Sequence, residues 1–215
     1  MSDATKRNEQ PQARLLPFII AWTLACLLAS WLHLLAMSHL ITAGIVTGKN
    51  FVILVNVGLF ASTSAAQFFV IRRFLGVDLR GWAPMAVAGV IIGILALELL
   101  PRLITDFPNQ EPVARFAFIL MWIMPAILQW SLLRKRFANH GLWLLAAVIM
   151  GPIFAFIYRN GDGIFRSLLA DPSWIILRTV AHAADFVFPS IILGLVLYVV
   201  ISQDRKPVKD KRVAQ

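Results

Sequence analysis

Apolar residues run along this chain in six long stretches separated by short polar segments, and this spacing sets the first expectation about the fold. A hydrocarbon core of about 30 Å needs about 20 helical residues at a rise of about 1.5 Å each. The stretches run from Leu15 to about Ser38, Phe51 to Ile71, Trp82 to Ile104, Val113 to Leu133, Leu142 to Tyr158 and Trp174 to Ile201. The fifth is short for one perpendicular crossing. The sixth is long and carries Arg178, His182 and Asp185 in its first half, so its opening turns are expected to tilt or to lie along the membrane surface. The pattern predicts an all-α polytopic bundle of six transmembrane helices over 15–201, with a tail at 1–14 and a basic tail at 202–215. Although Lys6, Arg7 and Arg14 precede the first stretch, its 24 apolar-rich residues exceed the length of a signal-peptide core, and a retained helix is expected.

Composition agrees with the pattern. Hydrophobic residues make up 59% of the chain and charged residues 14%, the reverse of what a soluble domain or a disordered chain requires. The formal charge of +9 follows from topology. With six crossings, fourteen of the twenty Lys and Arg residues fall in the two tails and in the loops holding Arg72, Arg73, Arg80, Arg134, Lys135 and Arg136. The positive-inside rule makes that side cytoplasmic, with both termini there. Lys49, Arg102, Arg115, Arg159, Arg166 and Arg178 remain for the opposite side, where six acidic residues balance them. A basic surface placed this way suits anionic lipid headgroups, and nothing in it provides the groove-reading elements of a nucleic-acid binder.

Two hairpins resemble each other at a period near 62. Gln67 precedes Arg72 and Arg73, Trp82 and Gly89, while Gln129 precedes Arg134 and Lys135, Trp143 and Gly151. Spans 2–3 and 4–5 are then parallel repeats about an axis along the membrane normal. In each copy the arginines end a helix at headgroup level, the tryptophan re-anchors the returning helix, and the glutamine can hydrogen-bond to a neighbouring helix or a partner. Phe68 and Trp130, next to the glutamines, differ between the copies. Over Gln67 to Gly151 the chain resembles small bacterial multi-pass membrane proteins with a repeated glutamine, aromatic residue and basic pair at a helix end. The resemblance implies the bacterial cytoplasmic (inner) membrane and brings no activity with it.

Ionisable and polar groups within spans mark candidate sites, because their burial needs compensation. His33, Asn56, Glu98, Arg178, His182 and Asp185 all fall on the outer side of the midplane, the last three sharing one helical face. They define either an outward-facing cavity for an anionic or zwitterionic small molecule or a closed network in which Arg178 pairs with Asp185 or Glu98. His33 and His182 are also the candidate axial ligands for haem or a pigment. No metal set is present: HExxH is absent, and Cys26 is the one cysteine. Small residues at Ala21, Ala25 and Ala29, and at Gly89 and Gly93, offer close helix contact, and Pro125, Pro152 and Pro189 interrupt apolar helices.

These features lead to a noncatalytic integral membrane subunit or scaffold, since the loops are too short for an ATPase or kinase domain and no phosphate-binding loop occurs. An alternative is a small-molecule binding component of a transporter. Six helices, cytoplasmic termini and an outer polar cluster look like the substrate-binding part of an energy-coupling-factor transporter, with Ala21, Ala25 and Ala29 at the matching small-residue positions. A haem or pigment carrier is the third reading, and an intramembrane enzyme built on His182 and Asp185 lacks a nucleophile.

Overall fold

The first helix shows what kind of solvent the protein is built for. In α1 (Leu15–Thr42) every fourth residue points inward, through Phe18, Trp22, Cys26, Ser30, Leu34 and Ser38, so the buried face includes a thiol and two hydroxyls. The opposite face repeats Leu16, Ile20, Leu24, Leu28 and Leu32, each at least half exposed. Water would not tolerate a continuous leucine face, whereas lipid tails do. The chain is an all-α, multi-pass membrane protein.

A computed structural model of the protein describes residues 15–45, 49–104, 111–153 and 187–203. After α1 come α2 (Lys49–Val70), α3 (Trp82–Leu103) and α4 (Glu111–Leu133). Then follow α5 (Gly141–Ile153) and α6 (Val187–Gln203). The first four are long and apolar enough to cross a membrane, and the described lengths of α5 and α6 are shorter apolar helices. The starts and ends of the first four helices fall within a few residues of the first four apolar stretches. Arg178, His182 and Asp185, the end of the fifth stretch, the first half of the sixth and both tails lie outside the described residues.

Local chemistry explains the boundaries. α2 runs into one π-helical turn, Ile71–Leu75, and stops at Gly76, whose φ of 63° is a left-handed conformation suited to glycine. The wider turn has about 4.4 residues per revolution, so it offsets the drift of an i+4 row and keeps Ile71 and Leu75 on the buried side while Arg72 and Arg73 point outward. Pro84 sits in the first turn of α3 and Pro112 in that of α4, where helix amides have no intrahelical acceptor to lose.

α3 and α4 make the most intimate contact. A Cβ at Gly89 would lie 2.4 Å from the Pro125 backbone, and one at Gly93 would lie 2.3 Å from Met121 Cα. The two glycines thus bring α3 backbone against α4 backbone, over the turn where Pro125 cannot donate to the Met121 carbonyl. Ala21 and Ala25 of the other small-residue row are half-buried against the main core. That core gathers side chains from all six helices at the end bearing Arg72, Arg73, Arg134, Lys135 and Arg136, and centres on Phe18, Trp22, Ile71, Trp82, Trp143 and Leu197. A second cluster of Leu59, Val90, Ile94, Met121 and Trp122 fills the contact of α2, α3 and α4 further along.

Candidate functional site

The polar residues singled out along the sequence fall in different places. His33, on α1, lies across α2: its Nε2 is 2.9 Å from the Val55 carbonyl oxygen, to which the Nε2–H tautomer donates. Gly58 makes room for it, since a Cβ there would be 2.3 Å from His33 Cε1. Asn56 is buried on the same helix. This seating engages the Nε2 that an axial haem ligand would use. Glu98 stands on an exposed face of α3 and pairs with Arg102 one turn on, 3.2 Å away. His33 therefore sits at the α1–α2 contact, Asn56 is buried on α2, and Glu98 belongs to an exposed face of α3. The other three members of the predicted outer cluster are outside the described residues. Among the described residues no group of three His, Cys, Asp or Glu side chains could hold a metal.

Gln67 and Gln129 do converge. The Trp82 indole N–H donates to Gln67 Oε1 at 3.0 Å, and Gln67 Nε2 donates to Cys26 Sγ at 3.4 Å, so Gln67 ties α1 to the start of α3. Gln129 Nε2 donates to the Trp82 carbonyl at 3.4 Å. Trp143, the counterpart of Trp82, donates to the Ala126 carbonyl at 3.2 Å, and the two indoles meet with ring centroids 5.2 Å apart. Around this group is a cavity of about 100 Å³ lying between the two apolar clusters. Cys26, Ser30, Thr63, Ser64, Gln67, Gln129 and Ser190 supply its polar wall, and Leu59, Phe60, Trp122, Pro125, Trp143 and Leu193 its apolar wall, with Ala86 and Ala126.

Two contacts were not apparent from the motif alone. Trp22 donates to the Ser190 carbonyl at 2.9 Å and lies over Gly194, whose Cβ would be 2.7 Å from its ring. This joins α1 to α6, and Ser190 also reaches the Cys26 thiol. The sequence signal was a glycine and a serine one turn apart on a helix with no other small positions nearby. At the basic end, Arg136 donates to the Asp78 carbonyl and so connects the α4–α5 loop to the α2–α3 loop. There Arg134 lies 5.2 Å from the centroid of Trp130, on which His140 stacks at 5.6 Å.

Chemically, the cavity is suited to recognising neutral groups. Among the described residues it has no acid, base or cation, and its Cys26 thiol has amide and hydroxyl neighbours with no base to deprotonate it. No protein-family model, curated protein or solved structure matched this chain when compared with it.

Proposed function

We propose that this protein is a noncatalytic subunit or scaffold within a larger membrane complex. The observation that carries the reading is the use of the interior polar groups: His33, Gln67, Gln129, Trp22, Trp82 and Trp143 all bond from one helix to another or across a helix–loop–helix hairpin. Such bonds in a membrane contribute roughly 0.6 kcal/mol each, and together they hold a fixed arrangement. Outside that lock the chain is apolar. Only 22% to 39% of the residues in the four long apolar stretches are buried within the chain, leaving wide helix faces for lipid or for partner helices.

In this reading the chain crosses the bacterial inner membrane six times, with 15–201 forming the bundle and the tails 1–14 and 202–215 on the cytoplasmic side. The exposed Arg72, Arg73, Arg80, Arg134, Lys135 and Arg136 face anionic headgroups there. The hairpins α2–α3 and α4–α5 are parallel copies in this reading. What supports the duplication is that each returning tryptophan bonds to the preceding helix, Trp82 at Gln67 and Trp143 three residues before Gln129, with the two indoles in contact. Copurification from native membranes tests the role: a membrane-protein partner in constant ratio is expected, and a chain that emerges alone under mild detergent and after cross-linking would sink it.

A second reading is a small-molecule binding component, in which His33, Asn56, Glu98, Arg178, His182 and Asp185 serve an outward site. What supports it is that Asn56 is a buried polar side chain on α2, the helix to which His33 bonds at Val55. Binding of a zwitterionic or anionic solute that is lost on Arg178→Gln and His182→Gln, in protein that still folds, is the result it requires.

A further inference from the structure

The cavity beside Gln67 and Gln129 has polar groups with unused hydrogen-bonding capacity. Gln129 and Ser64 are 4% and 3% exposed. Gln129 donates through Nε2 to the Trp82 carbonyl, while its amide oxygen and the Ser64 hydroxyl make no hydrogen bond among the described residues and border the open space of the cavity instead of being sealed in the packing. By contrast, Ser30 and Thr63 on the same wall turn their hydroxyls onto carbonyls of their own helices, at 2.7 Å each. Buried groups without partners are costly whether the space is empty or filled by lipid tails, so the occupant that fits must hydrogen-bond.

Three further constraints narrow its chemistry. A charged occupant would enter a space with no described counter-charge, which disfavours ions and zwitterions. Trp122 and Trp143 supply flat aromatic walls that suit another ring in an offset or edge contact. The volume of about 100 Å³ is of the same order as the roughly 150 Å³ apolar cavity that accepts benzene. We infer that the cavity is a binding site for an uncharged, ring-shaped, hydrogen-bonding molecule of about phenol size. Its hydroxyl or equivalent donor faces the Gln129 amide oxygen, and its ring lies against Trp122 and Trp143. This site is independent of the scaffold role, and its described lining includes none of His33, Asn56 and Glu98.

The test uses the full chain in lipid nanodiscs with 4-fluorophenol, fluorobenzene and 4-fluorobenzoate, each followed by fluorine NMR. Saturable binding of 4-fluorophenol is expected, with fluorobenzene roughly threefold to tenfold weaker, the factor one hydrogen bond supplies, and 4-fluorobenzoate unbound. Ser64→Leu fills the space and should abolish saturable binding. Gln129→Met keeps the side-chain length and removes the amide, together with its bond to the Trp82 carbonyl, so it should erase the advantage of 4-fluorophenol over fluorobenzene in protein that still binds both. If Ser64→Leu fails to fold, the Gln129→Met comparison decides alone. Equal binding of the phenol and fluorobenzene to the unaltered chain would overturn the inference, and so would partition into the bilayer without saturation, the result expected of a cavity that holds water only.

Discussion

Gln67 illustrates how much one side chain does in an apolar medium. Its oxygen accepts from Trp82 at the start of α3 and its nitrogen donates to Cys26 of α1, so one amide on α2 bonds to two neighbouring helices. In water such bonds compete with solvent. In lipid the competition comes from other polar groups of the same chain, which keeps the net contribution modest. A double-mutant cycle of Gln67→Leu and Trp82→Phe, read by unfolding in mixed micelles, should give a coupling of about 0.6 to 1.7 kcal/mol. A coupling near zero would mean that the pair is a contact without energetic consequence. Glu98 makes the opposite point: its partner Arg102 lies one turn away on the same exposed face, and a pair of that kind fixes little.

At the scale of elements, the α3–α4 contact depends on two absent side chains. Gly89→Ala and Gly93→Ala should each destabilise the protein by about 1 to 3 kcal/mol, because the added methyl meets backbone atoms that cannot rotate away. Gly141→Ala is the control. A Cβ there meets nothing within 4 Å, and the change should stay within about 0.5 kcal/mol in the same unfolding measurement. Equal effects at the three positions would rule out close backbone packing as the reason for the glycines. The spacing of Gly89 and Gly93 made this contact legible as a face for close approach, although not which helix it meets. Helix limits were legible for a related reason: apolar run length, Gly76 and the early prolines mark where a chain can and cannot continue through lipid. Rotation about each helix axis was much less so. In α1 both faces are largely apolar, so counting residues gives the depth of His33, as it gives that of Asn56 on α2, but not the direction in which either points. For the same reason the pattern grouped Glu98 with them, on shared depth alone, whereas Gln67 and Gln129 could be paired because a repeated spacing carried information about their surroundings.

Among the described residues, the larger core lies at the end with the basic loops and draws on every described helix, and a second cluster joins α2, α3 and α4. The loops at that end are also linked, through Arg136 and Asp78. The proposed six crossings with cytoplasmic termini make a direct prediction for cysteine labelling. In a Cys26→Ser background, single cysteines in place of Asn109 or Asn160 should react with an impermeant maleimide in intact spheroplasts. Those in place of Ala4, Asn139 or Ala214 should react only after permeabilisation. Labelling of Asn139→Cys and Asn109→Cys from the same side would exclude the six-span topology.

The glycine face of α3 also has a consequence for chain continuity. Because α3 and α4 fit through backbone shape, the covalent link between residues 104 and 111 adds proximity to an interface already specified on both sides. A seam of this kind allows the molecule to be regarded as two pieces, one carrying α1 to α3 and the other α4 to α6, with Trp22 on Ser190 as a second clasp. Two separately synthesised halves would carry within themselves the instructions for finding each other in the bilayer.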